Sequence, residues 1–460
     1  MYLNHNNQSS TWPHFTWSQF LKRLVTTAIL GLAAVTGARA ATFLPLSSTP
    51  VEEYGGIDYV EHFGLFTGTT EKGDFVMPYR IFAPANPAEG NGVVLVEPPH
   101  FAFGAIGLDV FLGDDLVFGR GFSHASVGFG ELLLNILAPI PGLEIAGEQA
   151  FLCDPGSAPG CTATRDVEII RQFSEALSSD SWARSVLGPV TGRYAFGASQ
   201  TADVLNEMIY GGDAYGLFDF TLLMLNVWQL ETDTFPTGLP DPGVIPEDYV
   251  PVDGIGKVIT VNAEGDQFFS GAEEVRNGII DTNYRLYEVA GAPHFASIYL
   301  PPDFADRENF NPLDVGPVGR AALIAGHRWV AEGINPPDNA LLIGVEDSIS
   351  RDADGNALGG VQLPDVAIGR GRYTAWTDYP LLLPGGGFAP LLGLFEDLAC
   401  SPAAGSSRDR PRFRNHGSYV SGYARQANRL VRQGYLLPED AERMVDAAGE
   451  SEIGKPGTCD

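Results

Sequence analysis

Short apolar runs with strand character recur along this chain, and longer stretches of helical period separate them. YRIFAP (79–84), VVLVE (93–97), FSHASVGF (122–129), RYAFG (193–197), TLLMLNV (221–227), KVITVN (257–262) and YRLYEV (284–289) read as strands. The turn formers NPAEGNG divide the first two. Stretch 105–118 has mixed helical character, and TATRDVEIIRQFSEAL sets Val167, Ile170, Phe173 and Leu177 on one helical face. QTADVLNEMIY turns Leu205, Met208 and Ile209 inward, and GPVGRAALIAGHRWVAEG closes the series as a helix. Strands this apolar must be covered on both faces, which predicts an α/β fold with a mostly parallel central sheet. Sites in such sheets lie at the carboxyl ends of the strands. Two irregular stretches, 131–163 and 229–256, interrupt the rhythm as a lid or as insertions, and the rhythm stops near residue 340. Beyond it come Gly- and Pro-rich loops and a helical end, SYVSGYARQANRLVRQG and PEDAERMVDAA.

The N-terminus points to export. Lys22 and Arg23 precede the apolar run LVTTAILGLAAVTGA, and Ala38-Arg39-Ala40 has the small–x–small form of a cleavage site. That run is short of the roughly 20 residues that span a bilayer, and no other stretch approaches the length, so no stable membrane anchor is expected. Residues 1–40 are read as a signal peptide, 41–340 as the catalytic domain and 341–460 as an extension packed on it. The mature chain is expected to be secreted or periplasmic. Removing Lys22, Arg23 and Arg39 from a chain of net charge −29 leaves −32. So acidic a chain lacks the basic face that nucleic acid requires.

Four cysteines follow the leader, an even number suited to an oxidising compartment. Cys153 and Cys161 flank the turn-rich DPGSAPG, which leaves Cys400 to pair with Cys459, although four cysteines allow three pairings. No Cys-x-x-Cys spacing is present, so a zinc site is not expected.

RYAFGASQTADVL (193–205) has the strand–turn–helix outline of a nucleophile elbow, with Thr201 where a glycine is usual. Alone, such a serine reads first as a helix cap. Its partners carry the catalytic reading. A serine needs a base, and the base needs an acid to fix its tautomer, in the chain order Ser, Asp or Glu, His. Asp266 follows KVITVN and His294 follows YRLYEV, each just past the end of a predicted strand. Glu264 is the alternative acid. His100, His124 and His327 are rival bases, His124 in a strand and His327 in a helix. The backbone N–H of Gln200 and the loop bearing His100 and Phe101 are the expected oxyanion hole.

NGVVLVE, GASQT, AEGD, YEVAGAPH, HRWVAEGINPPDN, DADGNALGGVQLPDVA and YLLPEDAERM together resemble the secreted bacterial α/β-hydrolase-domain proteins, an esterase-like group. The resemblance spans nearly the whole mature chain. GNALGG–LPD is its most specific part, because ordinary α/β-hydrolases lack it. It implies the α/β-hydrolase fold, Ser199 as nucleophile, His294 as base and Asp266 or Glu264 as acid. The chain departs after VVLVE, where PPHFAFG replaces an asparagine-containing loop. GNALGG–LPD reads as a structural wrap over the core.

The expected activity is hydrolysis of a carboxylic ester, small or polymeric, through an acyl-enzyme, with no metal or organic cofactor. Amide, thioester or lactone hydrolysis uses the same triad. The alternative of another class is a non-catalytic binding protein on the same scaffold.

Overall fold

A computed structural model describes residues 41–70, 73–98, 108–128, 167–211, 213–226, 255–268, 276, 283–300, 307–376, 389–402 and 411–459. Its strands are β1 (Thr42–Tyr54), β2 (Ile57–Thr70), β3 (Gly73–Pro84), β4 (Val93–Glu97), β5 (Ser123–Val127), β6 (Gly192–Ala198), β7 (Phe220–Met224), β8 (Lys257–Ala263), β9 (Tyr284–Val289), β10 (Gly371–Thr374) and β11 (Leu394–Asp397). The first nine form one sheet in the order β1-β2-β3-β5-β4-β6-β7-β8-β9. From β5 to β9 the neighbours are parallel, as the alternating pattern predicts.

β1 and β2, which the sequence reading did not anticipate, join this sheet with β3, which contains the expected strand 79–84, as an antiparallel flank. β1 lacks a clean alternation of buried and exposed positions and lies largely against solvent. Its partner β2 returns through Gly55 (φ 60) and Gly56 (φ 87), and the positive φ at both positions is what a two-residue hairpin turn requires.

The helices are α1 (Asp114–Gly119), α2 (Val167–Ser179), α3 (Ser181–Leu187), α4 (Gln200–Gly211), α5 (Gly316–Glu332), α6 (Pro364–Ala367), α7 (His416–Gln433) and α8 (Pro438–Glu450). Side-chain alternation along the strands divides the core into two faces. Val94, Val96 and Ala195 pack with Ile169 and Phe173 of α2 and with Leu205 and Met208 of α4. Val93, Leu95, Tyr194 and Phe196 pack on the other face with Leu323 and Trp329 of α5, and with Leu430 and Ala441 of α7 and α8. Each large side chain buried this way contributes about 1.5–3 kcal/mol. Val167, expected on the inward face of α2, is only half-buried, and Ile169 is buried instead.

The run TLLMLNV stops as a strand at Met224, because Leu225 takes a left-handed φ of 51. The mixed stretch after residue 105 resolves into one π turn, Leu108–Leu112, followed by α1. Past residue 340 the chain returns to the sheet. Glu288 and Ala290 exchange backbone hydrogen bonds with Val361 across the outer edge of β9. Arg320 of α5 grips Asp440 of α8 through Nε and Nη2, the latter at 2.6 Å. Cys400 and Cys459 are disulfide-bonded, with Cα atoms 5.2 Å apart. Cys153 and Cys161 lie outside the described residues. No helix among the described residues is long and apolar enough to cross a membrane.

Candidate active site

β6 delivers Ser199 at its carboxyl end, and α4 begins one residue later. Between them Ser199 adopts φ 56, a left-handed conformation that costs a non-glycine residue on the order of 1–3 kcal/mol. The turn is held from both sides. Ser199 N–H donates to Met224 O at 2.9 Å, and Ser199 O accepts from Ala202 N–H at 2.9 Å. A side chain at Gly197 would place its Cβ 2.6 Å from Thr201 O, so only glycine fits there.

Thr201 has a positive reason to replace glycine. Its Oγ1 accepts from Ala198 N–H at 2.7 Å and donates to Ala198 O at 2.9 Å. The side chain is buried and satisfies both polar groups of the residue before the serine.

The Ser199 Oγ lies 3.0 Å from His294 Nε2. His294 Nδ1 lies 2.6 Å from Asp266 Oδ1. A carboxylate has no proton to give, so Nδ1–H is the donor and the neutral ring is left with an acceptor at Nε2, facing the hydroxyl. Asp266 is fully buried in the single turn Glu264–Phe268 after β8, and its second oxygen accepts from Ala263 N–H at 2.6 Å. His294 sits in the bend after β9 and is 7% exposed. Ser199, His294 and Asp266 thus meet at the carboxyl ends of β6, β9 and β8.

Glu264 faces elsewhere. Its Oε2 accepts from Gly291 N–H at 2.7 Å and its Oε1 from Arg351 Nη2 at 2.8 Å. Burial raises the Glu264 carboxyl above its ordinary range, although Arg351 pulls the other way. His124 Nε2 pairs with Glu97 Oε2 at 2.8 Å in a fully buried contact. His327 Nδ1 lies 3.0 Å from the Tyr194 hydroxyl. Gln200 is the first residue of α4, where backbone N–H groups have no intrahelical acceptor. His100 and Phe101 lie outside the described residues. Among the described residues no group of three or more His, Cys, Asp or Glu side chains is arranged to hold a metal ion.

Sequence reasoning missed two sets of polar residues around this site. Asn206 Nδ2 donates to Asn226 Oδ1 at 2.5 Å, and Asn226 N–H donates to Asn262 Oδ1 at 3.0 Å, all buried. From later in the chain, Asn311 Nδ2 donates to Gly291 O in the His294 loop at 2.7 Å, and Arg351 pairs with Glu264, whose other oxygen accepts from Gly291 N–H. No local pattern marks either set, since each pairs residues far apart in sequence.

A mostly parallel sheet covered on both faces, with a strained serine at the carboxyl end of a central strand, defines the α/β-hydrolase fold. The model of the family described as "Alpha/beta hydrolase domain" matches residues 141–446, and the chain belongs to that family and is a hydrolase. Among solved structures, the PEG-bound complex of a cold-adapted esterase from an Arctic intertidal metagenomic library is similar at a TM-score of 0.30 and 12% identity, covering 52% of this chain and 86% of that one. No curated protein matches the chain.

Proposed function

We propose that this hydrolase is an exported serine esterase, in which Ser199 attacks the carbonyl of a carboxylic ester. The unbroken path from Ser199 Oγ through His294 to Asp266, at 3.0 and 2.6 Å, is the observation that carries the reading. His294 Nε2 takes the hydroxyl proton as Oγ bonds to the carbonyl carbon, and Asp266 stabilises the imidazolium that forms. The Gln200 N–H, with the loop of His100 and Phe101, receives the negative charge that develops on the carbonyl oxygen. As the tetrahedral species collapses, His294 returns the proton to the departing alkoxide and an acyl-Ser199 remains. Water, deprotonated by His294, then releases the acid and restores the serine. Residues 41–340 supply every group in this sequence, and 341–460 form an extension folded onto them. Export is supported by the leader and by the Cys400–Cys459 disulfide.

Fluorophosphonate labelling with mass mapping of the modified peptide tests the reading. Label is expected on Ser199 in the wild type and is expected to fall below detection in His294→Ala. A folded protein that takes no label would instead be a binding protein on a hydrolase scaffold. A panel of acyl esters, amides, thioesters and lactones then identifies the bond cleaved.

A further inference from the structure

We infer that the GNALGG–LPD segment holds His294 in place, with Arg351 acting as a positioning residue through Glu264; this rests on the Ser199–His294–Asp266 reading.

The loop that carries His294 has its backbone bonded almost residue by residue. Ala290 N–H donates to Val361 O at 3.1 Å, and Phe295 N–H donates to Leu391 O at 2.9 Å. Gly291 N–H donates to the Glu264 carboxylate, and Ala292 O accepts from Gly265 N–H at 3.0 Å. Two of the four partners, Val361 and Leu391, come from beyond residue 340. A third, Glu264, is held there by Arg351, which also donates to Gly355 O at 3.2 Å inside the same segment.

The paired glycines of GNALGG are explained by this contact. A Cβ on Gly360 would fall 2.4 Å from Glu288 O, and Gly359, at φ 85, would place one 2.6 Å from Leu341 O. Any larger residue would lift the segment away from β9 and from the loop that follows it. Gly265 is equally confined, since a Cβ there would meet Ala375 O at 2.8 Å and His294 N at 3.0 Å. The histidine loop therefore sits between the acid turn on one side and Val361 and Leu391 on the other.

Arg351 is the point at which this arrangement depends on charge. It compensates a carboxylate that is otherwise fully buried, and a charge-assisted bond from Gly291 N–H is about twice as strong as a neutral one. Without the guanidinium, burial favours the neutral acid and the Gly291 anchor weakens. His294 then drifts from Ser199, and a displacement of about 1 Å can cost roughly a hundredfold in rate.

The test uses the full-length protein and a fluorophosphonate probe, with inactivation resolved into a binding constant KI and a chemical rate constant kinact. Arg351→Met is expected to lower kinact about tenfold or more with KI unchanged, and Arg351→Lys to recover a large part of it. Arg412→Met is the control, because it breaks the Asp354–Arg412 pair in the same region without touching the histidine loop. Circular dichroism at the assay temperature establishes that each variant is folded. If Arg351→Met does not fold, Glu264→Gln serves, and it is expected to lower kinact in the same way. Wild-type kinact in the folded variants overturns the inference, as does an equal loss in Arg412→Met. A wild type that takes no label at Ser199 overturns the triad reading itself. Labelling that His294→Ala abolishes and Arg351→Met leaves intact overturns only the positioning role.

Discussion

Thr201 shows why a motif is better read as a set of physical requirements than as letters. The elbow needs the backbone before the serine to be satisfied inside a sharp turn, and a hydroxyl that both accepts from and donates to Ala198 does that. Thr201→Val keeps the shape and removes both bonds, leaving a buried N–H and C=O without that partner. It is expected to lower the unfolding free energy by about 1–3 kcal/mol in urea titrations and to slow labelling of Ser199. Thr201→Ser retains the oxygen and should keep most of both properties. Glu264 makes a second prediction at this scale. A buried acid with a raised folded-state pKa keeps its proton over an interval in which the unfolded chain has lost its own. The stabilisation is complete below that interval and disappears as pH rises through it. The stability difference between wild type and Glu264→Gln, measured by urea unfolding from about pH 4 upward, should therefore move against the wild type as pH rises and level off once Glu264 has ionised in the fold. A flat difference would show that Glu264 titrates alike in both states.

Among the elements, those built on one clean period were legible. β4 and β6 through β9, with α2, α4 and α5, carry apolar runs or stripes that admit one reading, and the chain order of the triad residues followed from them. α7 and α8 were also visible as amphipathic helices, but not the surface they cover, because their partners in α5 lie far upstream. The β1–β2 hairpin was not legible, since β1 is mostly exposed and β2 mostly half-buried, and neither shows a clean alternation of buried and exposed positions. Arg351 was invisible for a related reason: it answers a buried charge at Glu264, and burial is settled only once distant segments have packed. At α7, Asn415 accepts from Ser418 N–H at 2.8 Å while Ser418 Oγ accepts from Asn415 N–H at 3.2 Å, closing a capping box. Asn415→Ala is expected to lower the unfolding free energy by about 1 kcal/mol while leaving the rate of Ser199 labelling unchanged.

At the level of the whole molecule, a net charge of −29 sets the background against which each pair acts. Salt screens repulsion between exposed carboxylates and barely touches a largely buried pair such as Arg320–Asp440. The fold is also closed late along the chain. A ribosome that has added residue 340 has already supplied Ser199, Asp266 and His294, while Arg351, Val361 and Leu391 are still to come. Order of synthesis therefore separates possession of the reactive groups from possession of the loop geometry that aligns them. A product ended at that point by a premature stop or a protease would contain the entire proposed triad and lack Val361 and Leu391, whose carbonyls bond the loop that carries His294.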